Sequence, residues 1–281
     1  MDDRAPRRHQ ARNRLAMRLK NLGSGSGGNA TLVHADSSPD RCLMVDCGMG
    51  IRELERRVEA AGKRPEDIHG IFITHEHGDH AGCAESWSRK YDCPVWLSRG
   101  TWHALRDPQF GGGMQFVRDG ERHRFHGLEL QPFTVPHDAR EPLQLRIEEA
   151  QARLAILTDL GHVTPHVLAC ISGVDALVLE CNHDTEMLRM GRYPPSLKKR
   201  VGGDWGHLTN AQASQALQRV WHRNLRQLIA AHLSEANNTP ELAIAALSSA
   251  LPPDHRTALI VAEPDNGTAW IDIEAAAQAA L

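Results

Sequence analysis

The sequence predicts an α/β fold in which two β-sheets pack face to face and helices cover their outer surfaces. Two observations support this prediction. Apolar, β-branched segments typical of buried strands alternate along the chain with segments of helical periodicity. Several of the strands end in a His or an Asp, which places polar side chains along one edge of the sandwich. These strand-end residues are His75, His77, His137, Asp159 and His232.

Composition and charge limit what the chain can be. Its 281 residues, 41% hydrophobic and 24% charged, are sufficient for one domain with a sizeable core. The net charge of −3 gives no overall attraction to nucleic acid, so such binding would depend on local basic patches. No apolar run is long enough to span a bilayer, and the N-terminus lacks the apolar segment of an export signal. We therefore expect a cytoplasmic protein without a membrane partner, whose cysteines, lacking a CxxC pair, stay reduced.

The chain begins with a basic tail and a glycine-rich hairpin. We predict that residues 1–16 form a flexible tail and that residues 17–281 form the folded domain. The basic residues of the tail are Arg4, Arg7, Arg8, Arg12 and Arg14. Segments 17–22 and 30–34 predict two strands joined by the loop 23–29. The glycines of this loop expose backbone N–H groups, so it is either a substrate-facing phosphate loop or a flexible hairpin turn.

A third strand is predicted at residues 42–48, a helix at 51–61, a buried strand at 71–74 and another helix at 81–90. Within the third strand, Asp46 is a candidate for holding a metal-ligating histidine through a hydrogen bond.

Four possible metal ligands lie between the buried strand at 71–74 and the helix at 81–90. His75 and His77 lie two residues apart in an extended segment, so they point to the same side and can share one ion. Asp79 and His80 follow the turn at Gly78 and can hold a second ion. Neutral imidazoles combined with a carboxylate suit zinc, manganese or iron. The spacing therefore predicts a metal centre at this strand end.

Later strands repeat the arrangement of an apolar strand followed by a polar residue. The strand at 128–135 leads to His137, a candidate third ligand for the first ion, and the strand at 154–161 contains Asp159, which could bridge two ions. The other predicted elements are strands at 94–98, 177–184, 226–234 and 258–262, and helices at 101–106, at 211–221 and from 239.

Two further features lie between these strands. The segment 185–201 is densely basic, and it either follows a phosphate backbone or forms a solvated helical face. Thr209 or Asn210 is the predicted N-cap of the helix at 211–221, whereas the nearby His207 has no structural role that the sequence explains.

The pattern His75-x-His77-x-Asp79-His80, together with the later strand-end residues, resembles the metallo-β-lactamase superfamily. The resemblance covers nearly the whole chain from about residue 17. It implies a four-layer αββα sandwich of two mixed β-sheets flanked by helices, with a two-metal site. The implied ligands are His75, His77 and His137 for the first ion, Asp79, His80 and His232 for the second, and Asp159 as the bridge.

Within that superfamily the chain looks most like the YycJ/WalJ group. The matching segments are 22–26 with Asn29, 137–139, 182–184, 193–194, 206–208, 232–234 and 237–240. The chain departs from the group's pattern at Gly27, Leu160, Cys181 and Thr209, and none of these departures removes a ligand. Members of the group are regarded as nucleases, so the resemblance implies exonuclease activity on DNA.

A second resemblance concerns the chemistry of the leaving group. Glu180 and Gly206-His207 are similar to the Glu and His of the RNase Z branch, where the two residues sit together and assist departure of the leaving oxygen. No long insert of the kind found in β-CASP nucleases lies between Asp159 and His207, so an RNase J-like architecture is not expected.

These observations predict a phosphodiester hydrolase that uses two divalent metal ions, zinc or manganese with iron as an option, and nucleic acid, DNA in particular, as the substrate. The oligomeric state stays open, with a homodimer as one option. The predicted catalytic residues are Asp79, Asp159, Glu180 and His207. The predicted substrate-binding residues are Ser24, Ser26, Asn29, Asn182 and His183.

Three alternatives remain open from the sequence. One is a phosphodiesterase that acts on a small cyclic phosphate and shares the same metal site. Another is a thioester or lactam hydrolase, although Glu180 and His207 have no role in that chemistry. The last is a metal-binding protein without catalysis, which the complete ligand set disfavours.

Overall fold

The computed structural model describes residues 14–275. The first of its two β-sheets is mixed and has seven strands. Its strands are β1 (Arg14–Gly23), β2 (Ala30–Ala35), β3 (Cys42–Val45), β4 (Ile68–Phe72), β5 (Val95–Leu97), β6 (Met114–Phe116) and β14 (Ile271–Ala275). They are ordered β14-β1-β2-β3-β4-β5-β6. The pairings from β14 to β3 are antiparallel and those from β3 to β6 are parallel.

The second sheet also has seven strands and is also mixed. Its strands are β7 (His123–Phe125), β8 (Leu128–Thr134), β9 (Leu143–Glu149), β10 (Ala152–Leu157), β11 (Ala176–Glu180), β12 (Gln227–Ala231) and β13 (Ala258–Val261). They are ordered β13-β12-β11-β10-β9-β8-β7. The pairings from β7 to β10 are antiparallel and those from β10 to β13 are parallel, so β10, β11 and β12 end at the same edge.

Helices form the two outer layers. They are α1 (Ile51–Ala60), α2 (Gly78–Ala81), α3 (Ala84–Tyr91), α4 (Arg99–Ala104), α5 (Pro165–Ile171), α6 (Thr185–Met190), α7 (Pro195–Val201), α8 (Asn210–Val220) and α9 (Pro240–Ser249), with a 3-10 turn at Pro65–Asp67. None of the helices within residues 14–275 has the length and apolar character needed to cross a membrane.

Side-chain alternation along the strands separates three apolar cores. Val178 of β11 packs between the two sheets, whereas its neighbours Leu177 and Leu179 pack against α5, α8 and α9. In the first sheet, Met44 of β3 and Ile71 of β4 pack against α1 and α3. One core therefore lies between the sheets and one lies under each helical layer, which confirms the predicted four-layer sandwich.

Some predicted boundaries differ from those in the structure. The predicted helix at 81–90 corresponds mainly to α3, which begins at Ala84, while Ala81 is the last residue of the short helix α2. The two helices are separate because the chain around Gly82 packs closely against the turn after β3. A Cβ on Gly82 would lie 3.0 Å from the carbonyl oxygen of Gly48, and Cys83 donates its N–H to the carbonyl of Cys47 at 2.9 Å. The short strands β6 and β7, the strands β9 and β14, and the helix α5 were not predicted.

The N-terminal boundary also differs. β1 begins at Arg14, three residues before the predicted start of the domain, while residues 1–13 of the predicted tail lie outside the described residues. All six cysteines are free thiols in the structure, and five of them are buried.

Candidate metal centre

The predicted ligands meet at one edge of the sandwich, where strands from both sheets end. The first sheet contributes the loop after β4 and the short helix α2, which carry the cluster at residues 75–80. The second sheet contributes His137 after β8, Asp159 two residues after β10 and His232 directly after β12. Residues up to 157 positions apart in the sequence are therefore brought together by the packing of one sheet on the other.

The first group of ligands consists of three histidines. Nδ1 of His77 lies 3.0 Å from Nε2 of His75 and 3.3 Å from Nε2 of His137. His137 donates its Nδ1–H to the carbonyl of Gly206 at 3.0 Å, so its Nε2 carries a lone pair directed at the other two rings. Burial lowers the pKa of His75 and of His137, which favours the neutral form that binds metals.

The second group consists of Asp79, His80 and His232. Oδ2 of Asp79 lies 3.6 Å from Nε2 of His80 and 3.4 Å from Nε2 of His232. Nδ1 of His80 is hydrogen bonded to Oδ2 of Asp46 at 2.8 Å, and Asp46 also accepts the backbone N–H of Thr74 at 2.9 Å. The predicted contact of Asp46 with a ligand histidine is therefore present, and it fixes the orientation of the His80 ring.

Asp159 lies between the two groups, and its surroundings indicate whether a cation fits there. Its side chain is buried, and Oδ2 lies 3.0 Å from Nε2 of His80 but makes no hydrogen bond. Because His80 uses Nδ1 for Asp46, both facing atoms offer lone pairs, and only a shared proton or metal ion makes their approach favourable. A set of imidazoles and carboxylates with such an atom pair fits divalent transition metals.

The two histidines of the second group are surrounded by carboxylates. Burial alone would lower the pKa of His232, but Asp159, Asp79 and Glu180 outweigh it and raise that pKa to about 10. Burial is likewise outweighed at His80, where Asp159 and Asp46 raise the pKa. The same carboxylates that stabilise a proton on these imidazoles also stabilise a metal ion, which competes with the proton for the imidazole nitrogens.

Glu180 and His207 form the pair that the second resemblance implies. Nδ1 of His207 donates to Oε1 of Glu180 at 2.8 Å, while Oε2 accepts the backbone N–H groups of Leu208 at 3.0 Å and Leu160 at 3.2 Å. Burial would raise the pKa of Glu180, but the charge and hydrogen bond of His207 lower it to about 2. Glu180 in turn outweighs the effect of burial and raises the pKa of His207, which favours the protonated imidazole beside the carboxylate.

The residues predicted to bind substrate are placed differently from one another. Ser26 is exposed and lines the cavity at the metal centre. Ser24 is buried and accepts the backbone N–H of His232 at 2.8 Å, and Asn182 donates to the carbonyl of His232 at 3.0 Å. Asn29 is buried and donates to the carbonyl of Asp79 at 3.1 Å.

His183, the remaining predicted substrate ligand, is 1% exposed, and its Nδ1 lies 3.3 Å from Oδ1 of Asn182. Ser24, Asn29, Asn182 and His183 are all buried, and none of them lines the cavity at the metal centre. Their predicted contact with substrate stays a prediction, while Ser24, Asn29 and Asn182 bond to the backbone of predicted metal ligands.

The glycine-rich loop is a packed turn with an open tip. The backbone N–H of Gly25 is bonded to Oδ1 of Asn29 at 2.9 Å, and that of Gly28 to the carbonyl of Gly25 at 3.0 Å. Gly28 has a φ of +141° and a Cβ there would lie 2.7 Å from Met49, so glycine is required. Within the loop 23–29, Ser26 and Gly27 are the exposed residues, and they form its tip.

The cavity at the metal centre has a volume of about 360 Å³ and includes residues that the sequence did not identify as functional. Its lining residues are Ser26, His77, Gly78, Asp79, Asp138, Asp159, Tyr193, Leu197, Arg200, Val201, Gly206, His207 and His232. Arg200 of α7 donates Nε–H to Oδ2 of Asp138 at 2.5 Å. The only sequence signal for Arg200 was its place in the basic segment 185–201.

Comparison with known proteins places this geometry in context. The family model described as a β-lactamase superfamily domain matches residues 41–232, about two thirds of the chain. A protein of Bacillus anthracis named exodeoxyribonuclease YycJ is 36% identical over 240 residues, which cover 84% of this chain and 90% of that protein. A protein of Streptococcus pneumoniae named exodeoxyribonuclease WalJ is 31% identical over 227 residues, which cover 79% of this chain and 83% of that protein.

Among solved structures, the metallo-β-lactamase fold protein YhfI from Bacillus subtilis superposes with a TM-score of 0.71. The superposition covers 92% of this chain and all of YhfI at 12% sequence identity. At that level of identity the likeness concerns the fold alone, and it agrees with the four layers described above.

Proposed function

The chain belongs to the metallo-β-lactamase superfamily, and from this premise we propose that it is a two-metal phosphodiester hydrolase that shortens DNA from an end. The observation that carries the proposal is the Glu180–His207 pair at 2.8 Å beside two groups of metal ligands. Support for DNA as the substrate comes from the two relatives named exodeoxyribonuclease, which match most of their own length.

In this proposal His75, His77 and His137 would hold one divalent ion, and Asp79, His80 and His232 would hold a second. Asp159, which lies between the two groups, would serve as a ligand shared by them. Zinc and manganese suit these ligands, and iron is compatible with them. Bound ions supply Lewis acidity to the phosphoryl group and lower the pKa of a water molecule to near neutrality. The chain itself supplies the binding of the phosphate, the placement of the nucleophile and the proton for the leaving oxygen.

His207 is the proposed general acid. Its Nδ1 is occupied by Glu180, so Nε2 is the nitrogen available to the cavity that His207 lines. Proton transfer from Nε2 to the departing oxygen would leave a neutral imidazole that remains hydrogen bonded to Glu180. The carboxylate of Glu180 stabilises the protonated imidazole of His207 before transfer, and the lowered pKa of Glu180, about 2, reflects the same attraction.

Three other groups are proposed to position the substrate and nucleophile. Arg200 lies at the cavity wall with 60% of its side chain exposed, so its guanidinium can contact a phosphate while Nε holds Asp138. Ser26, at the exposed tip of the glycine-rich loop, lines the same cavity. Asp159, whose Oδ2 makes no hydrogen bond within the protein, orients the attacking water. Since DNA is found in the cytoplasm of the bacteria that carry the named relatives, we also propose a cytoplasmic location.

The test is hydrolysis of a 5′-labelled DNA duplex, an RNA of matched sequence and bis-p-nitrophenyl phosphate. Metal-stripped protein is reconstituted with manganese or with zinc, and Asp79→Ala serves as the control that lacks one ligand. Progressive shortening of the DNA by the reconstituted wild type, but not by the variant, is the expected result. Cleavage of the small ester without any cleavage of DNA would replace the proposal with a phosphodiesterase that acts on a small molecule.

A further inference from the structure

Trp205 is an exposed aromatic residue beside the cavity of the metal centre. Its exposed fraction is 61%, which is unusual for a large apolar side chain. It directly precedes Gly206, whose carbonyl holds His137, and it stands two residues before His207. An indole in this position is close to the proposed chemistry without belonging to the ligand set.

The backbone under Trp205 is held in place while its ring remains in solvent. The carbonyl of Trp205 accepts the N–H of Asp138 at 2.9 Å, and the carbonyl of Asp204 lies 2.9 Å from Nδ1 of His162. A Cβ on Gly161 would lie 2.5 Å from the backbone nitrogen of Trp205, so the two backbone segments are in close contact. The ring is therefore presented from a fixed base, which reduces the conformational entropy lost on binding a partner.

Trp205 lines a second cavity, which is adjacent to the cavity at the metal centre. It has a volume of about 330 Å³, within the range of small-ligand pockets, and Asp138 and Arg200 line both cavities. Its lining residues are Asp138, Ser196, Lys199, Arg200, Gly203, Asp204 and Trp205. Arg200 and Asp138 therefore separate the metal centre from a neighbouring cavity that Trp205 lines.

The charges around this second cavity suit a nucleotide. Lys199 is exposed and makes no ion pair within residues 14–275, and Arg200 holds Asp138 through one nitrogen only. Asp204 is exposed on the Trp205 side, so the favourable position for a phosphate is the side of Lys199 and Arg200. Basic side chains and an exposed aromatic ring that line one cavity are the combination by which proteins bind single-stranded nucleic acid.

Resting on the proposed function, we propose that Trp205 is a stacking platform for an unpaired nucleobase next to the scissile phosphate. Inside a duplex both faces of each base are stacked, and a blunt end exposes only the outer face of its terminal pair, whereas a single strand or a frayed end offers individual unpaired bases. The site therefore favours DNA with an unpaired end over a blunt duplex. Trp205 acts as a specificity-determining residue and takes no part in the chemistry.

Binding tests this proposal independently of hydrolysis. The metal-loaded enzyme is titrated with a single-stranded oligothymidylate whose phosphorothioate linkages slow cleavage, and with a blunt duplex, while tryptophan fluorescence and anisotropy are recorded. We expect Trp205→Ala and Trp205→Leu to weaken single-strand binding about tenfold, the loss typical of one base–aromatic stack. Trp205→Phe keeps most of the affinity but loses the fluorescence quenching. Met114→Ala, which truncates another exposed apolar residue remote from the cavity, is the matched control.

The outcomes separate this proposal from the proposed function. Single-strand affinity that is the same in Trp205→Leu and in the wild type overturns the stacking proposal, even if the wild type degrades DNA. An equal loss for the single strand and the blunt duplex overturns the preference for an unpaired base. Quenching that depends on Trp205, in an enzyme that cleaves no DNA, supports the binding site and contradicts the proposed reaction.

Discussion

Three residues at the metal-binding edge adopt backbone conformations that favour glycine. Asp46 has a φ of 64°, Asp159 a φ of 53° and His232 a φ of 55°. Such conformations cost about 1–3 kcal/mol each and persist where the surrounding structure enforces them, commonly at functional sites. Each of the three directs a side chain at the same cluster of ligands, so we infer that the strain serves the orientation of those side chains.

At the residue scale, the first prediction concerns Asp46, which touches a ligand without being one. Asp46→Asn should weaken the binding of the second metal ion about 10- to 100-fold, because His80 loses the charged acceptor that fixes its ring and tautomer. Metal affinity is measured by competition with a chelator of known strength. The exposed Asp272→Asn variant is the control. Unaltered affinity in Asp46→Asn would show that Asp46 only caps the backbone of Thr74.

The second residue-scale prediction separates general acid catalysis from metal binding. His207→Ala should reduce kcat on DNA by about 10²- to 10⁴-fold, because the departing sugar oxygen needs a proton. The loss on bis-p-nitrophenyl phosphate should be much smaller, because p-nitrophenolate is a good leaving group without protonation. Steady-state kinetics on both substrates measures the ratio. Equal losses on the two substrates would instead assign His207 to the metal site or to substrate binding.

At the scale of elements, helix α8 connects His207, the proposed general acid, to the helical layer. The helix begins at Asn210, and its N-cap Thr209 directly follows the segment His207-Leu208. The hydroxyl of Thr209 accepts the N–H of Gln212 at 3.0 Å, while the side chain of Gln212 accepts the N–H of Thr209 at 2.9 Å. This reciprocal capping box holds the start of the helix, and therefore the backbone that carries His207, in one position.

We predict that Thr209→Ala lowers the free energy of unfolding by about 1 kcal/mol, because one backbone N–H at the helix start loses its partner. Urea denaturation followed by circular dichroism measures the change. Gln218→Ala, at an exposed position in the same helix, should alter stability by less than about 0.5 kcal/mol. A change in Thr209→Ala as small as that in the control would mean that the capping box contributes little to the helix.

At the scale of the whole molecule, the metal centre joins the two sheets. His75, His77, Asp79 and His80 follow β4 of the first sheet, whereas His137, Asp159 and His232 follow strands of the second. A bound ion therefore stabilises the packing of one sheet on the other as well as the site itself. This coupling exists because the unfolded chain does not hold the ligands in one place.

Removal of the metal should therefore lower the Tm of the protein. At a free metal concentration of about 1,000 times Kd, binding stabilises the folded state by about 4 kcal/mol, which corresponds to roughly 8–16 °C in a domain of this size. Thermal denaturation with and without a chelator, followed by addition of manganese or zinc, measures the shift. Asp79→Ala should show a smaller shift. An unchanged Tm in the wild type would argue that the sandwich holds the ligands in position without an ion.

The sequence by itself determined the four-layer fold and identified the residues proposed as metal ligands. Strand periodicity and ligand identity are local properties, so the cluster at residues 75–80 could be recognised without coordinates. The resemblance to a known family then implied the ligands that follow the later strands. The structure confirms the sandwich and brings all of these side chains to one edge.

Only the tertiary structure decided how the ligands are supported and what faces the substrate. Ser24 holds His232 from 208 positions away, and Arg200 holds Asp138 from 62 positions away. Such pairs depend on how the two sheets and the loops pack, which no local pattern encodes. For the same reason the sequence could not show that Ser24 is buried or that Trp205 is exposed, because burial depends on neighbours that are distant along the chain.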